Sequence, residues 1–196
     1  MSRRKLTLRR DARGAALMEF GLVAPTFFLM LMFFFDVAHS MYASSVLQGV
    51  MQTVARQATL ETGTTASAQI DTYVETQMRT IVGSGATFVP VRRSYSDFSS
   101  VGDPERFNDT NGNGQWNAGE CFEDVNGNGQ WDADLGRTGQ GGAHDAVLYR
   151  VTISYPRMFP MAQMVGLPPT QEVKASTVLR NQPYGNQTRP VFAVCP

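Results

Sequence analysis

Cysteine is scarce in this 196-residue chain: there are two, Cys121 and Cys195, too few for a disulfide-rich scaffold or a four-cysteine zinc site. Histidine is equally scarce, with only His39 and His144, and no nucleophile elbow, His-Glu-x-x-His helix or phosphate-binding loop occurs. His144 and Asp145 are neighbours beside a glycine-rich stretch, too little to build an acid–base pair, so the expectation is a protein that is not an enzyme. Basic charge is missing from most of the chain. Six of the 17 basic residues (Arg3, Arg4, Lys5, Arg9, Arg10 and Arg13) lie in the first 14 positions, and the remainder carries 11 basic against 16 acidic residues. A short basic arm on an acidic body argues against nucleic acid as a partner. Nine acids fall between Asp103 and Asp145, against Arg106 and Arg137 alone. Apolar residues, at 42%, are plentiful enough to exclude a wholly disordered chain. A small anchored or secreted protein remains.

From Ala15 to Phe35 the only charge is Glu19, and the stretch from Phe27 to Phe35 is wholly apolar. About 20 helical residues cross the ~30 Å hydrocarbon core, so this length fits one transmembrane helix. The basic leader stays in the cytoplasm by the positive-inside rule, and the chain beyond Asp36 goes to the far side. The expected organisation is a leader over residues 1–14, a span over 15–36 and an extracytoplasmic domain over 37–196, with an acidic insertion at 103–145. An uncleaved signal-anchor would show the same charges. A cleavable signal, cut near Ala38-His39-Ser40, would need a much shorter apolar run.

Glu19 discriminates among these. A carboxylate inside a membrane span costs a few kcal/mol, on the order of 2.5–3.5 at mid-bilayer, and such a group usually has a partner and a purpose. A cut after Gly14 would give Ala15 a new α-ammonium and make Glu19 the fifth residue of the mature chain. In a helical assembly, that carboxylate and the amine of a neighbouring subunit would neutralise one another. The run Arg9-Arg10-Asp11-Ala12-Arg13-Gly14-Ala15-Ala16-Leu17-Met18-Glu19-Phe20, leading into an apolar span with Pro25, resembles the TadE-like family. These are minor pilins or pseudopilins of the bacterial Tad (tight adherence) pilus system. The resemblance implies cleavage by a prepilin peptidase between Gly14 and Ala15, with Glu19 at mature position five and the aromatic Phe20 beside it. Phe20 stands where the major pilins more often carry Tyr. Further on, only Val178-Leu179-Arg180-Asn181-Gln182-Pro183-Tyr184 is similar to the family's C-terminal strand, with Gln182 in place of Glu.

The helical period continues past Asp36 through Val37, Met41, Leu47, Val50, Met51, Val54 and Ala58, predicting one helix from Ala15 to Glu61 with Gly63 as its stop and a kink at Pro25. A second helix is predicted over Ala68–Val82, packed on the first. The period then becomes two. Val147, Tyr149, Val151, Ile153 and Tyr155 mark one strand and Val173, Ala175, Thr177 and Leu179 another, with shorter candidates at Phe88–Arg92 and Val191–Val194. Pro90 points to an edge strand. An apolar connection, Met158, Phe159, Met161, Met164, Val165 and Leu167, joins the two longer strands; it closes a core or meets a partner. The fold class is α+β: a long N-terminal transmembrane helix packed on a small antiparallel sheet, pilin-like, with an inserted calcium-loop segment.

That insertion carries the most specific chemistry. Asn111-Gly112-Asn113-Gly114-Gln115-Trp116 recurs as Asn126-Gly127-Asn128-Gly129-Gln130-Trp131, offset by 15, and each copy follows an acid, Asp109 or Asp124. The first copy reads as a twelve-position calcium loop. Asp109, Asn111 and Asn113 stand at positions 1, 3 and 5, and Gly114 makes the turn at 6. Gln115 offers its carbonyl at 7, Asn117 stands at 9 and Glu120 at 12. The second copy has Asp124, Asn126, Asn128, Gln130 and Asp132, but position 12 is Leu135, which leaves Asp134 as the expected substitute. Only three residues separate the loops, too few for paired helices, so they resemble dockerin-like loops. Two plain Asn-Gly turns would be the alternative, yet no alternating apolar residues flank them. Calcium is the expected ligand, one or two ions, held with modest affinity because few donors are charged. In an oxidising periplasm an even pair favours a disulfide between Cys121 and Cys195, with two separate thiols as the alternative.

The leading expectation is a single-pass protein of the bacterial inner membrane, N-terminus cytoplasmic and bulk periplasmic, serving a Tad-type pilus. Its expected partners are the membrane, the prepilin peptidase, and other pilin subunits with their assembly machinery. A free-standing anchored calcium-binding or adhesive protein, and a released soluble domain, are the competing readings.

Overall fold

A computed structural model describes residues 12–58, 64–142, 144–159, 163, 166–181 and 192–195. Helix α1 spans Ala12–Ala58 and continues on both sides of Pro25. The expected end at Glu61 and the stop at Gly63 lie outside the described residues, as do the leader before Ala12 and Gln182-Pro183-Tyr184. Helix α2, Thr64–Val82, starts one turn before the expected Ala68. It stops where Gly83 takes a φ of +80° and donates its N–H to the Arg79 carbonyl at 3.1 Å.

Six strands follow among the described residues: β1 Thr87–Tyr95, β2 Phe122–Asp124, β3 Arg137–Thr138, β4 Ala146–Pro156, β5 Thr170–Arg180 and β6 Phe192–Val194. One sheet has the order β3-β1-β4-β5, and β2 pairs with β6 in a second. β1 is antiparallel to β4, from Thr87 opposite Ser154 to Tyr95 opposite Ala146. The sheet order places β1 inside the sheet, but β3 is registered only against Arg93 and Ser94. Pro90, opposite Val151 on β4, therefore lies beyond the end of β3, where its missing N–H costs no ladder bond. The architecture is α+β, as the change of period implied.

The chain divides into two compact units, Met1–Tyr42 with Pro156–Gln171, and Ala43–Tyr155 with Glu172–Pro196. The core of the larger unit joins the two periodicities. Ala43, Leu47, Val50, Met51 and Val54 of α1 lie at helical spacing, and Ile70, Val74, Met78 and Val82 of α2 do the same. They share one cluster with Val147, Tyr149, Val151, Ile153 and Tyr155, the alternate residues of β4, and with Val173 and Leu179 of β5. Each such side chain taken from water contributes about 1.5–3 kcal/mol. Polar groups tie α2 to the sheet. The Arg92 guanidinium grips Asp71 at 2.9 and 2.6 Å, and its Nη2 also donates to the Ser67 carbonyl at 3.0 Å. Its Cζ lies over the Tyr149 ring, 4.4 Å from the centre, and the Tyr149 hydroxyl donates to the same Asp71 at 2.6 Å. Burial first, then that bond, holds the Tyr149 hydroxyl well above the usual phenol range. Gly136 is fixed by contact: a Cβ there would lie 2.6 Å from Cζ of the buried Tyr95.

In the smaller unit, α1 leaves its apolar side chains largely exposed, Phe33, Phe34 and Phe35 among them. Asp36 is the exception. It is buried and ion-paired with Arg157 at the start of the connection from β4 to β5. Arg157 also closes that connection, donating its backbone N–H to the Pro169 carbonyl and its Nε to the Pro168 carbonyl, both at 3.0 Å.

Candidate functional site

Two loops, 109–120 and 124–132, make up the acidic insertion, and their chain turns follow from the repeated Asn-Gly pairs. In the first, Asp109 Oδ1 accepts from the N–H groups of Gly112 (2.8 Å) and Asn113 (3.2 Å), and Oδ2 from Gly114 (2.7 Å). Asn111 Oδ1 accepts from Asn113 N–H at 3.0 Å and Asn113 Oδ1 from Gln115 N–H at 2.8 Å. Gly114 sits at φ +71°, which lets the chain turn back over the Asp109 carboxylate. Glu120 closes the loop. Its Oε1 accepts from the N–H and hydroxyl of Thr110, both at 3.1 Å, and its Oε2 from Asn117 N–H at 2.9 Å.

The second loop repeats this atom for atom. Asp124 accepts from Gly127, Asn128 and Gly129; Asn126 accepts from Asn128, and Asn128 from Gln130. Its closing carboxylate comes from Glu105. Glu105 Oε1 accepts from Val125 N–H at 2.8 Å and Oε2 from Asp132 N–H at 3.1 Å, the places Thr110 and Asn117 hold on Glu120. Asp132 stays in the loop, its Oδ2 accepting from the side-chain amides of Asn126 (2.5 Å) and Asn128 (2.6 Å). Asp134 is held elsewhere: Arg93 pairs with it at 2.6 Å, and the Tyr95 hydroxyl donates to it at 2.9 Å. Burial, then that bond, pushes Tyr95 up to about 12.

The two loops are related by a local two-fold. Asn108 N–H donates to the Cys121 carbonyl and Glu123 N–H to the Arg106 carbonyl, each at 2.8 Å, and both numbers of the first bond change by 15 in the second. Trp116 Nε1 donates to the Glu120 carbonyl (3.3 Å) and Trp131 Nε1 to the Glu105 carbonyl (2.9 Å). The two indoles stack at 5.3 Å and 6° on the axis, flanked edge-on by Phe122 and Phe107. The unit of repetition is therefore Glu-x-Phe-x-Asp-x-Asn-Gly-Asn-Gly-Gln-Trp, starting at Glu105 and again at Glu120. Because the glutamate precedes its own copy, the first loop is closed by the glutamate of the second copy, and the second loop by that of the first. Extending the repeat upstream from Asp109 would have found Glu105; counting twelve positions forward from Asp124 could not.

The donor set is chemically suited to a hard cation. Oxygen is the only ligand type the loops present, from Asp, Asn, Glu and main-chain carbonyls, and calcium takes six to eight such oxygens. Glu105, Glu120 and Asp124 are buried, and among the described residues none of the ion pairs involves them. Buried carboxylates are normally paired with a cation or coordinate a metal. Backbone donors supply part of that compensation here. Four N–H groups, those of Gly114 first and then Gly112, Asn113 and Asn111, hold the Asp109 carboxyl below its ordinary range. Burial alone would raise Glu120, but the bonds from Asn117 and Thr110 outweigh it and lower it. No group of three His, Cys, Asp or Glu side chains forms a metal cluster among the described residues, so Asn and carbonyl oxygens would have to supply most of each shell. The Gln115 carbonyl accepts from Asn117 Nδ2 at 2.7 Å.

Cys121, next to Glu120, is disulfide-bonded to Cys195, which directly follows β6. The bond and the β2–β6 register, Phe122 opposite Val194 to Asp124 opposite Phe192, attach the chain's end to the loop pair.

Gly14, Ala15, Glu19 and Phe20 stand on the first turns of α1 and are exposed. Among the described residues, one helix, Gly14–Arg56, is long and apolar enough to cross a membrane. Residues 14–56 match the family model of the TadE-like protein. No curated protein and no solved structure matches the chain. Over residues 14–56, its first helix, the chain is similar to the TadE-like family.

Proposed function

We propose that the protein is a membrane-anchored minor pilin or pseudopilin of a Tad-type pilus, cut by a prepilin peptidase after Gly14, whose outer domain carries a pair of calcium loops. The family match over residues 14–56 carries this reading, because it falls on the helix whose apolar face is exposed and whose start holds Glu19. The peptidase would need the backbone on both sides of the Gly14–Ala15 bond. Glu19, freed from the leader's charges, would pair with the Ala15 ammonium of a neighbouring subunit as the helices assemble.

The first calcium would be held by Asp109, Asn111, Asn113, the Gln115 carbonyl, Asn117 and Glu120. The second would be held by Asp124, Asn126, Asn128, the Gln130 carbonyl, Asp132 and Glu105. Bound there, calcium would supply the positive charge that the acidic insertion lacks, and fix the two loops against each other through the Trp116–Trp131 stack.

Intact-mass measurement of the membrane-extracted protein tests the anchor and processing together. A chain beginning at Ala15 is the expected result. An intact leader would favour a free-standing anchored protein, and a start near Met41 a released domain. Calorimetric titration of the same material with calcium, followed by tryptophan emission, tests the loops: calcium-dependent heat and a raised melting temperature are expected.

A further inference from the structure

We infer that Met158, Phe159 and Leu167, at the two ends of the connection from β4 to β5, make a second membrane contact in the headgroup–acyl boundary of the outer leaflet beside the span. The inference rests on the reading of α1 as a transmembrane helix and goes beyond it, because that reading assigns no lipid contact to any residue outside α1. From Met158 to Thr170 the chain has no charged residue and reads Met-Phe-Pro-Met-Ala-Gln-Met-Val-Gly-Leu-Pro-Pro-Thr. Loops exposed to water are ordinarily polar, since their backbone and side chains face solvent. Here Met158 is 58% and Leu167 39% exposed, and Phe159 is half-exposed.

The place of these residues decides what covers them. Arg157, at the head of the connection, is ion-paired with Asp36, and Asp36 is the first charge after the uncharged run from Phe20 to Phe35. Arg157 also draws the far end of the connection back to the same point through Pro168 and Pro169. Both ends of the apolar loop are thus pinned at the level where the span leaves the hydrocarbon. Leu31 and Met32, one turn nearer the span's centre on the Asp36 side of α1, are half-buried, whereas Phe33, Phe34 and Phe35 are 51–61% exposed. The ion pair also makes a lipid position chemically acceptable. Asp36 and Arg157 are 7% and 15% exposed in their side chains, and a charge that reaches the membrane is tolerated when it arrives paired. An uncharged apolar loop continuous with a transmembrane span fits lipid, at the depth of about 5–10 Å typical of interfacial segments.

The test uses the full chain in phosphatidylcholine–phosphatidylglycerol vesicles. Single cysteines, Met158→Cys, Leu167→Cys and, as an in-span reference, Phe33→Cys, are labelled with an environment-sensitive fluorophore, the native disulfide being verified by mass. The 158 and 167 labels are expected to lose most of their emission to a shallow nitroxide lipid and little to aqueous iodide. If the 33 label is quenched by nitroxide lipid while the other two are quenched only by iodide, the inference is overturned and the span stands. If the 158 and 167 labels are shielded from both quenchers, protein covers them and the lipid contact is equally overturned. If the 33 label escapes nitroxide lipid as well, the span itself fails and the loop contact falls with it.

Discussion

At Glu105 the difference between a motif and a fold is sharpest. The residue has no exposed surface, and its carboxylate accepts from three backbone N–H groups on the far loop. Removing an acceptor that satisfies buried donors costs about 1–3 kcal/mol, more when the acceptor is charged. Glu105→Ala is therefore expected to lower stability by about 2–3 kcal/mol and, under the proposed calcium reading, to abolish one of its two calcium-dependent heats. Asp134→Asn is expected to leave both heats in place, since that carboxylate serves Arg93 and Tyr95. Denaturant titration of each variant, with and without calcium, separates the two. The carboxyls of Asp109 and Glu120 add a pH dependence of definite sign. Both are lowered below their ordinary values of 3.8 and 4.5, so the unfolded chain takes up protons first as pH falls. Their contribution is whole at neutral pH and is lost as pH drops through the ordinary carboxylate range and then through the lowered values. Tryptophan emission is expected to hold steady from neutrality to about pH 5 and to shift red below it. The turn made by Asp109, Asn111, Asn113 and Gly114 was legible in the Asn-Gly spacing because local hydrogen bonds determine it. Glu105 closes its loop from about 20 residues upstream of Asp124, a distance that only the two-fold arrangement bridges.

Elements were legible wherever one face is buried. β4 is read almost residue by residue, since Val147, Tyr149, Val151, Ile153 and Tyr155 must alternate with side chains turned from the core. β6, Phe192–Val194, falls on the short candidate at Val191–Val194, whereas β2 and β3 were not foreseen: with three and two residues they have too little pattern, and long-range pairing holds them. The junction between α2 and the sheet was also invisible, because Arg92 and Asp71 are ordinary charges in sequence and become a bidentate pair only when β1 and α2 meet. Arg92→Ala leaves Asp71 half-buried without its cation and uncovers the Tyr149 ring. A loss of about 2–3 kcal/mol is expected, the scale of hydrogen bonds to charged groups. Arg92→Lys keeps the charge but not the fork, and is expected to recover less than half of that loss. Thermal denaturation of the detergent-solubilised chain measures both.

At the scale of the whole molecule, the membrane-anchored reading asks one helix to serve two solvents. From Ala43 onward α1 supplies Leu47, Met51 and Val54 to the buried core, while before Asp36 most of its apolar side chains are exposed. The residues near its start act in different steps under the pilin reading, and substitution can separate them. Gly14 offers the peptidase a backbone without a side chain, so Gly14→Leu is expected to leave the precursor uncut, seen as an unchanged mass. Glu19→Ala leaves the Gly14–Ala15 bond and its flanking glycine untouched, so cleavage is expected to continue. The cost appears later. Without the carboxylate, the neighbour's Ala15 ammonium would enter the bilayer unpaired, a position that costs a few kcal/mol, so such a subunit should be retained as a monomer. Crosslinking in intact cells measures this directly: Glu19→Ala protein of normal mass and abundance is expected to lose its crosslinks to other pilin subunits. Glu19→Asp tests distance against charge. Its carboxylate is one methylene shorter, so partial recovery of crosslinking would identify an ion pair whose reach matters. Full crosslinking by Glu19→Ala would show instead that the helix associates through its apolar face alone, and the pairing of Glu19 with the neighbour's ammonium would be overturned.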